Sequence, residues 1–213
     1  CTTAKRIGRR EFCFDQKIDF VKILETERLI LREIIDADAE FILDLLNQPT
    51  FIKYIGDRNV RSVDEAKEFI ENRYRASYKE HGFGLYTVEI KIQDLRFKIQ
   101  DSRFKIQDTE ILNLESAILN PAIGICGFVK RDTLPDADIG FAFLPQFEKK
   151  GFAFESASAV MDYGRNVLGL RKILAITTTD NESSGRLLQK LGFTLEGEVE
   201  SGGETLRLFS SEI

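Results

Sequence analysis

Residues 138–155, DIGFAFLPQFEKKGFAFE, constrain what this chain can fold into more than any other stretch. Ile139, Phe141 and Phe143 alternate with Gly140 and Ala142, the period of a strand with a buried face. Leu144-Pro145 ends the strand, because proline has no amide to give a sheet ladder. Lys149 and Lys150 then lead to Gly151, and a helical pattern starts at once. A strand, a basic loop with a glycine and a helix N-terminus together form an anion site. First-turn amides have no helical partner, and the helix dipole adds partial positive charge beside them. The spacing is neither a Walker loop nor a GxGxxG fingerprint. Taken alone, the loop also reads as a strand-to-helix connection that happens to be basic.

Within it, residues 145–156, PQFEKKGFAFES, resemble the acyl-CoA pyrophosphate loop of GNAT-superfamily acetyltransferases. The branch they are most similar to is the ribosomal-protein N-terminal acetyltransferase group. In the superfamily the loop reads Arg/Gln-x-x-Gly-x-Gly/Ala. Gly151 and Ala153 fall on the last two fixed positions, Glu148 stands where Arg or Gln is usual, and Lys149 where this branch often has glycine. Downstream, residues 181–193, NESSGRLLQKLGF, match the second half of the signature, with Asn181 and Ser184 at the Asn-x-x-Ser positions. Both pieces in order, with a helix and a strand between them, are more specific than either alone.

The resemblance implies an α/β (α+β) fold of GNAT type, a mixed and mostly antiparallel central sheet flanked by helices. It implies an acetyl-CoA-dependent N-acetyltransferase acting on a primary amine, a protein N-terminus or a small amine, by direct attack on the thioester. The cofactor would lay its pyrophosphate on the amides of Lys150, Gly151, Phe152 and Ala153, with Lys149 restoring charge to the loop. Its pantetheine arm would pair with the strand edge at Phe141, Phe143 and Leu144, a strand-like addition to the sheet. Backbone amides there would polarise the thioester carbonyl. Asn181 would contact the pantetheine; it also reads as a helix N-cap, and the two roles are compatible. Ser184 would help protonate the departing thiolate, or is an ordinary helix-surface serine.

Asp138 is the candidate base, since the resembling branch commonly carries an acidic residue there beside the acceptor channel. An isolated carboxylate at a strand start also reads as a group that solvates a turn. Many members place a tyrosine acid seven residues after the asparagine; here that position is Leu188. His81, the sole histidine, reads as a helix-end residue beside Gly82. No metal site is expected. A non-catalytic acyl-CoA sensor of the same fold is the alternative. A nucleotide-dependent phosphotransferase is poorer, because the loop has no Lys-Ser/Thr pair.

Read in order, residues 25–34 give a first strand. Asp36 is expected to cap a helix striped by Phe41, Ile42, Leu45 and Leu46, which Pro49 closes. Ser62 and Glu65 form a capping box for a second helix carrying Ala66, Phe69, Ile70 and Tyr74, ended by Gly82. In the resembling family these two helices wall the acceptor site, which places the pocket partly on residues 45–60 and 70–80. Strands follow at 82–91, 122–131 and 137–144, then a helix over about 152–168 and a strand at 172–179. A short helix at 182–191 and a hairpin at 193–200 and 204–211 finish the chain. Between the second and third strands, residues 91–108 read KIQDLRF, KIQDSRF, KIQD. The apolar spacing is not an a/d seam, and an inserted hairpin-like arm over about 92–120 is expected.

At 213 residues with 43% hydrophobic content, the chain suits one domain with a substantial core. The expected layout is a loosely ordered N-terminal extension over 1–21 and the acetyltransferase domain over 22–213. A net charge of −5 speaks against a nucleic-acid partner. No apolar run approaches the roughly 18 residues of a membrane span, so no membrane partner is expected. Three cysteines cannot all pair with one another and have no metal-ligand spacing. They read as free thiols in a reducing, cytoplasmic setting. The expected partners are acetyl-CoA and an amine acceptor, with the chain a monomer or a homodimer.

Overall fold

A single sheet organises the molecule. The computed structural model describes residues 20–91, 120–201 and 203–212. Its eight strands are β1 (Lys22–Glu25), β2 (Leu29–Arg32), β3 (Leu85–Ile90), β4 (Ala122–Val129), β5 (Asp138–Phe143), β6 (Lys172–Thr178), β7 (Thr194–Ser201) and β8 (Glu204–Glu212), in the spatial order β1-β2-β3-β4-β5-β6-β8-β7. Every neighbouring pair is antiparallel except β5 and β6, which are parallel. The mixed, mostly antiparallel sheet expected from the sequence is the one observed.

The expected first strand is two. The chain reverses at Thr26, whose amide donates to Leu29 O at 2.9 Å, so β1 and β2 form a hairpin. Leu29 and Leu31 of β2 are fully buried. Asp36 opens a single 3-10 turn (Asp36–Asp38) and does not cap the following helix; Asp38 is the anchor. The Asp38 carboxylate accepts the Ile35 amide at 2.9 Å and both terminal nitrogens of Arg32 at 2.7 Å, while Arg32 Nε donates to Glu89 at 2.6 Å. All three charged residues are buried. Removing Arg32 alone would strand two carboxylates inside the protein, at a cost of about 3–5 kcal/mol.

The helices on this side are α1 (Ala39–Leu46), α2 (Pro49–Ile55), α3 (Val63–Phe69) and α4 (Ala76–His81), with a π-helical segment, Ile70–Arg75, joining the last two. Pro49 does not merely close α1. It occupies the first turn of α2, where a missing amide costs nothing and the fixed φ favours the helix. Ser62 and Glu65 form the expected capping box. Gly82, at φ 74°, ends α4 with His81 as its last residue. Ile42, Leu45 and Leu46 of α1 pack with Phe51, Ala66, Ile70 and Tyr74 against Ile125 and Leu144 of the sheet. Each such large side chain contributes about 1.5–3 kcal/mol on burial.

The opposite face is covered by α5 (Phe152–Asn166) and α6 (Glu182–Lys190). Phe152, Ala157, Val160 and Met161 of α5 and Leu188 of α6 join Phe128, Ile139, Phe143 and Phe209 in the larger core. Along β5 the odd residues therefore face α5, and Ala142 and Leu144 face the α1–α4 side. Cys126 lies buried between the layers as a free thiol. Cys1 and Cys13, the extension expected at 1–21 and the repeat arm lie outside the described residues, apart from the flanks of these segments. Glu89 pairs with Ala122 in the β3–β4 ladder, so the two flanks of 92–119 stand side by side. Among the described residues no helix is long and apolar enough to cross a membrane.

Candidate functional site

The parallel join between β5 and β6 is made at one position, Asp138 opposite Leu174, where the Leu174 amide donates to Ala137 O at 2.9 Å. Beyond that bridge the two strands part. On its other edge β5 stays paired with β4 along its whole length, from Val129–Asp138 to Gly124–Phe143. The Leu144 amide also points that way, donating to Ile123 O at 3.0 Å. Because backbone groups alternate sides along a strand, the N–H and C=O groups of Phe141 and Phe143 point into the notch. A strand edge of two residues thus opens inside the sheet.

At the end of this edge the chain turns through a 3-10 segment, Pro145–Phe147, into the basic loop. Lys149 has φ 57° and Gly151 φ 85°, both left-handed. Glycine carries no Cβ penalty there, whereas a branched residue would be strained. Gly151 is the N-cap of α5 and no side chain caps the helix start. A helix start with no side-chain cap from its N-cap residue is the kind that suits an anion. The side chains of Lys150 and Phe152 turn elsewhere. Lys150 Nζ folds back onto Gln146 O at 2.5 Å and lies near the Phe147 ring, and Phe152 is core, only 1% exposed. Only their backbone is left to serve an anion.

Across the notch, α6 begins at Asn181, whose Oδ1 accepts the Ser184 amide at 3.1 Å and the Ser183 hydroxyl at 3.3 Å. Since Oδ1 must be the acceptor in that cap, Nδ2 is the end that faces away. It donates to no protein group among the described residues, although Asn181 is only 9% exposed. A nearly buried amide donor without a partner is costly unless a ligand satisfies it. An amide-rich pantetheine arm would do so, and the residues present fit that group. The Ser184 hydroxyl, half-buried in the first turn of α6, likewise makes no hydrogen bond among the described residues.

Asp138 sits beside the closed end of the notch, on the face lined by α1–α4. It is 1% exposed, and Arg131 Nε donates to its Oδ1 at 3.0 Å. Burial pushes its carboxyl above the usual range, and Arg131 opposes that shift without cancelling it. The carboxylate therefore has the raised basicity that general-base work needs. It lies three residues from Phe141, about 10 Å along the strand. Leu188 is core, 1% exposed, and offers no acid. Burial raises the Cys126 thiol to about 12, so it is no nucleophile at neutral pH.

The edge of β5, the loop that follows it and the start of α6 thus border one notch. The match with known proteins agrees in extent: residues 28–194 fit the model of the acetyltransferase (GNAT) domain family. The chain is a GNAT acetyltransferase. It is 36% identical over 176 residues to the uncharacterized N-acetyltransferase YoaA of Bacillus subtilis, covering 82% of this chain and 84% of that one. Its fold is similar to the ribosomal-protein-S5-alanine acetyltransferase of Vibrio fischeri, with TM-score 0.64, 18% identity, and 89% and 95% of the two chains covered. It is also similar to the spermidine N-acetyltransferase of Vibrio cholerae solved with CoA and spermine, with TM-score 0.63, 18% identity, and 88% and 96% covered.

Two contacts of this acetyltransferase escaped the sequence reading. Lys53 of α2 reaches Asp180, just before Asn181, at 2.9 Å, so α2 is tied to the loop on the far side of the notch. Both side chains are more than half exposed, so the pair fixes geometry more than it adds stability. The other is a contact between Arg28, in the β1–β2 turn, and Glu155 of α5, at 2.5 Å. Neither partner is near the other in sequence, and only the capping-like acidity of Glu155 in a first helical turn could have hinted at it.

Proposed function

We propose that the protein moves the acetyl group of acetyl-CoA to a primary amine, a protein N-terminus or a small amine, in the notch between β5 and β6. The observation that carries this reading is the nearly buried Asn181, whose Nδ2 has no hydrogen-bond partner among the described residues, across from the β5 edge that parts from β6. When bound, acetyl-CoA supplies the acetyl group as a thioester open to attack by a neutral amine. The backbone of Phe141 and Phe143 holds and orients the pantetheine along the strand edge. The first-turn amides of α5, with Lys149 and the Lys150–Gly151 turn, hold the diphosphate. Asp138, kept basic by burial and held in place by Arg131, takes the amine proton through ordered water. The Ser184 hydroxyl offers a proton from Oγ at the start of α6.

The two fold neighbours named above carry different acceptors in their names, an alanine of ribosomal protein S5 in one case and spermidine in the other. Incubation of the protein with acetyl-CoA and a panel of peptides, polyamines, aminoglycosides and amino acids, read by free-thiol release and mass spectrometry, tests the reading. Acetylation of any amine in the panel, abolished by Gly151→Val, supports it. No thiol release and no CoA binding would overturn it.

A further inference from the structure

The start of α5 carries an apparent contradiction. A helix that must receive a diphosphate at its N-terminus has a carboxylate, Glu155, within its first turn. A negative charge placed there competes with the anion for the same dipole and the same amides. The structure deals with Glu155 from a strand hairpin more than a hundred residues away. Its Oε1 accepts the Thr26 hydroxyl at 2.5 Å and the Arg28 amide at 3.0 Å. Its Oε2 accepts Arg28 Nε at 2.6 Å, with Arg28 NH2 at 2.5 Å. These donors outweigh the effect of burial and hold its carboxyl below the usual range, so Glu155 is ionised and fully engaged.

The same guanidinium also reaches the loop. Arg28 NH1 donates to Lys150 O at 3.3 Å, and its carbon stands 4.6 Å from the centre of the Phe152 ring. A Cβ added to Gly151 would lie 3.4 Å from Arg28 NH2. One side chain therefore touches the residues on either side of the left-handed glycine as well as the competing carboxylate. We propose that Arg28 is a positioning residue of the diphosphate site. It fixes the Lys150–Gly151 turn through the Lys150 carbonyl, and it cancels the charge of Glu155 so that the helix start stays attractive to an anion. This rests on the acetyl-CoA reading above. A lysine would not replace Arg28, because the planar fork is needed to engage carboxylate and carbonyl together.

Calorimetric titration of the full chain with CoA, alongside thermal melting, tests this. Charge effects at helix N-termini reach about 2 kcal/mol in partly buried geometry, and 1.4 kcal/mol is tenfold in affinity. Arg28→Ala is expected to weaken CoA binding roughly tenfold on that scale. Adding Glu155→Gln to Arg28→Ala should restore affinity to within about threefold of the wild type, because the opposing charge is gone, while the melting temperature stays lowered. A purely structural role for Arg28 predicts no such rescue. Should Arg28→Ala not fold, Arg28→Lys carries the test and should still weaken CoA binding about threefold or more. Wild-type protein that ignores CoA would overturn the functional reading together with this inference. Wild-type binding with an unaffected arginine variant, or a double variant as weak as the single one, would overturn the inference alone.

Discussion

Arg131 Nε stands 3.0 Å from Asp138 Oδ1, across the turn that joins β4 to β5, and Asp138 is the residue that also bridges β5 to β6. The pair holds a buried carboxylate at the apex of the notch. Burial raises its pKa and Arg131 opposes the rise. As pH falls through that raised value the carboxylate is protonated and stops accepting the amine proton, so turnover should decline on the acid side. Arg131→Gln removes the opposing cation, raises the pKa further and should move the acid limb of the rate profile to higher pH. A limb that stays in place, or moves down, would show that Asp138 is not the group titrating.

Asp138→Asn should lower turnover by roughly a hundredfold or more, the contribution expected of a positioned base, with CoA affinity nearly unchanged. Its effect on stability should run the other way. A carboxyl that binds its proton more tightly in the folded state works against folding once ionised. That penalty is absent below the ordinary carboxylate range and complete above the raised value. At pH 7 the asparagine variant is therefore expected to melt no lower than the wild type, since Arg131, a third exposed, can turn to water. Turnover equal to wild type across pH 6 to 9 would return Asp138 to a purely structural part.

CoA at 100 times its dissociation constant should stabilise the wild-type fold by about 2.7 kcal/mol. Gly151→Val should remove most of this gain. The residue sits at φ 85°, which a branched side chain adopts only under strain, and the turn it shapes leads into the first turn of α5. Melting curves with and without millimolar CoA check both statements; an undiminished shift in the variant would separate the loop from the cofactor.

Asn181 caps α6 with Oδ1 and leaves Nδ2 for the proposed pantetheine contact, and substitutions can separate the two ends. Asn181→Ala loses the cap and should cost about 1 kcal/mol of stability along with CoA affinity. Asn181→Asp keeps an oxygen for the Ser184 amide, so the cap and the melting temperature should survive. It lacks the Nδ2 donor, so CoA should bind several-fold more weakly. Wild-type affinity in the aspartate variant would leave the buried donor without a function.

Replacing residues 92–119 with a short glycine-containing turn should give a soluble, cooperatively melting protein that still binds CoA. Its flanks are neighbours in the β3–β4 ladder, and closing a shorter loop between adjacent strands costs little. Aggregation of the shortened chain, or a non-cooperative melt, would show that this segment belongs to the core.

Most of the strand layout and the loop from β5 into α5 were legible because each rests on local chemistry. A period of two, a proline stop, a left-handed glycine and an asparagine cap all act within a few residues. What was not legible depended on distant partners. The break at Thr26 looks like strand in sequence, since nothing local announces that Thr26 and Arg28 are drawn to Glu155. Pro49 ends one helix or starts another with equal local logic, and packing of Phe51 into the core decides for a start. Asp36 was the better-looking cap, but Arg32 buries Asp38 in its stead. Lys150 reads as a phosphate-facing cation until its neighbour's carbonyl, Gln146 O, captures it.

An exposed strand edge is usually a hazard, because it invites a second chain to continue the ladder and seed aggregation. The edge at Phe141 and Phe143 escapes that hazard by its position. It is closed at one end by the Asp138–Leu174 bridge, and it is flanked by a strand of the same sheet. Another polypeptide could extend along it only by prising β5 from β6. The fold thus keeps a reactive piece of backbone permanently available while limiting its use to something short and slender that enters from the open end.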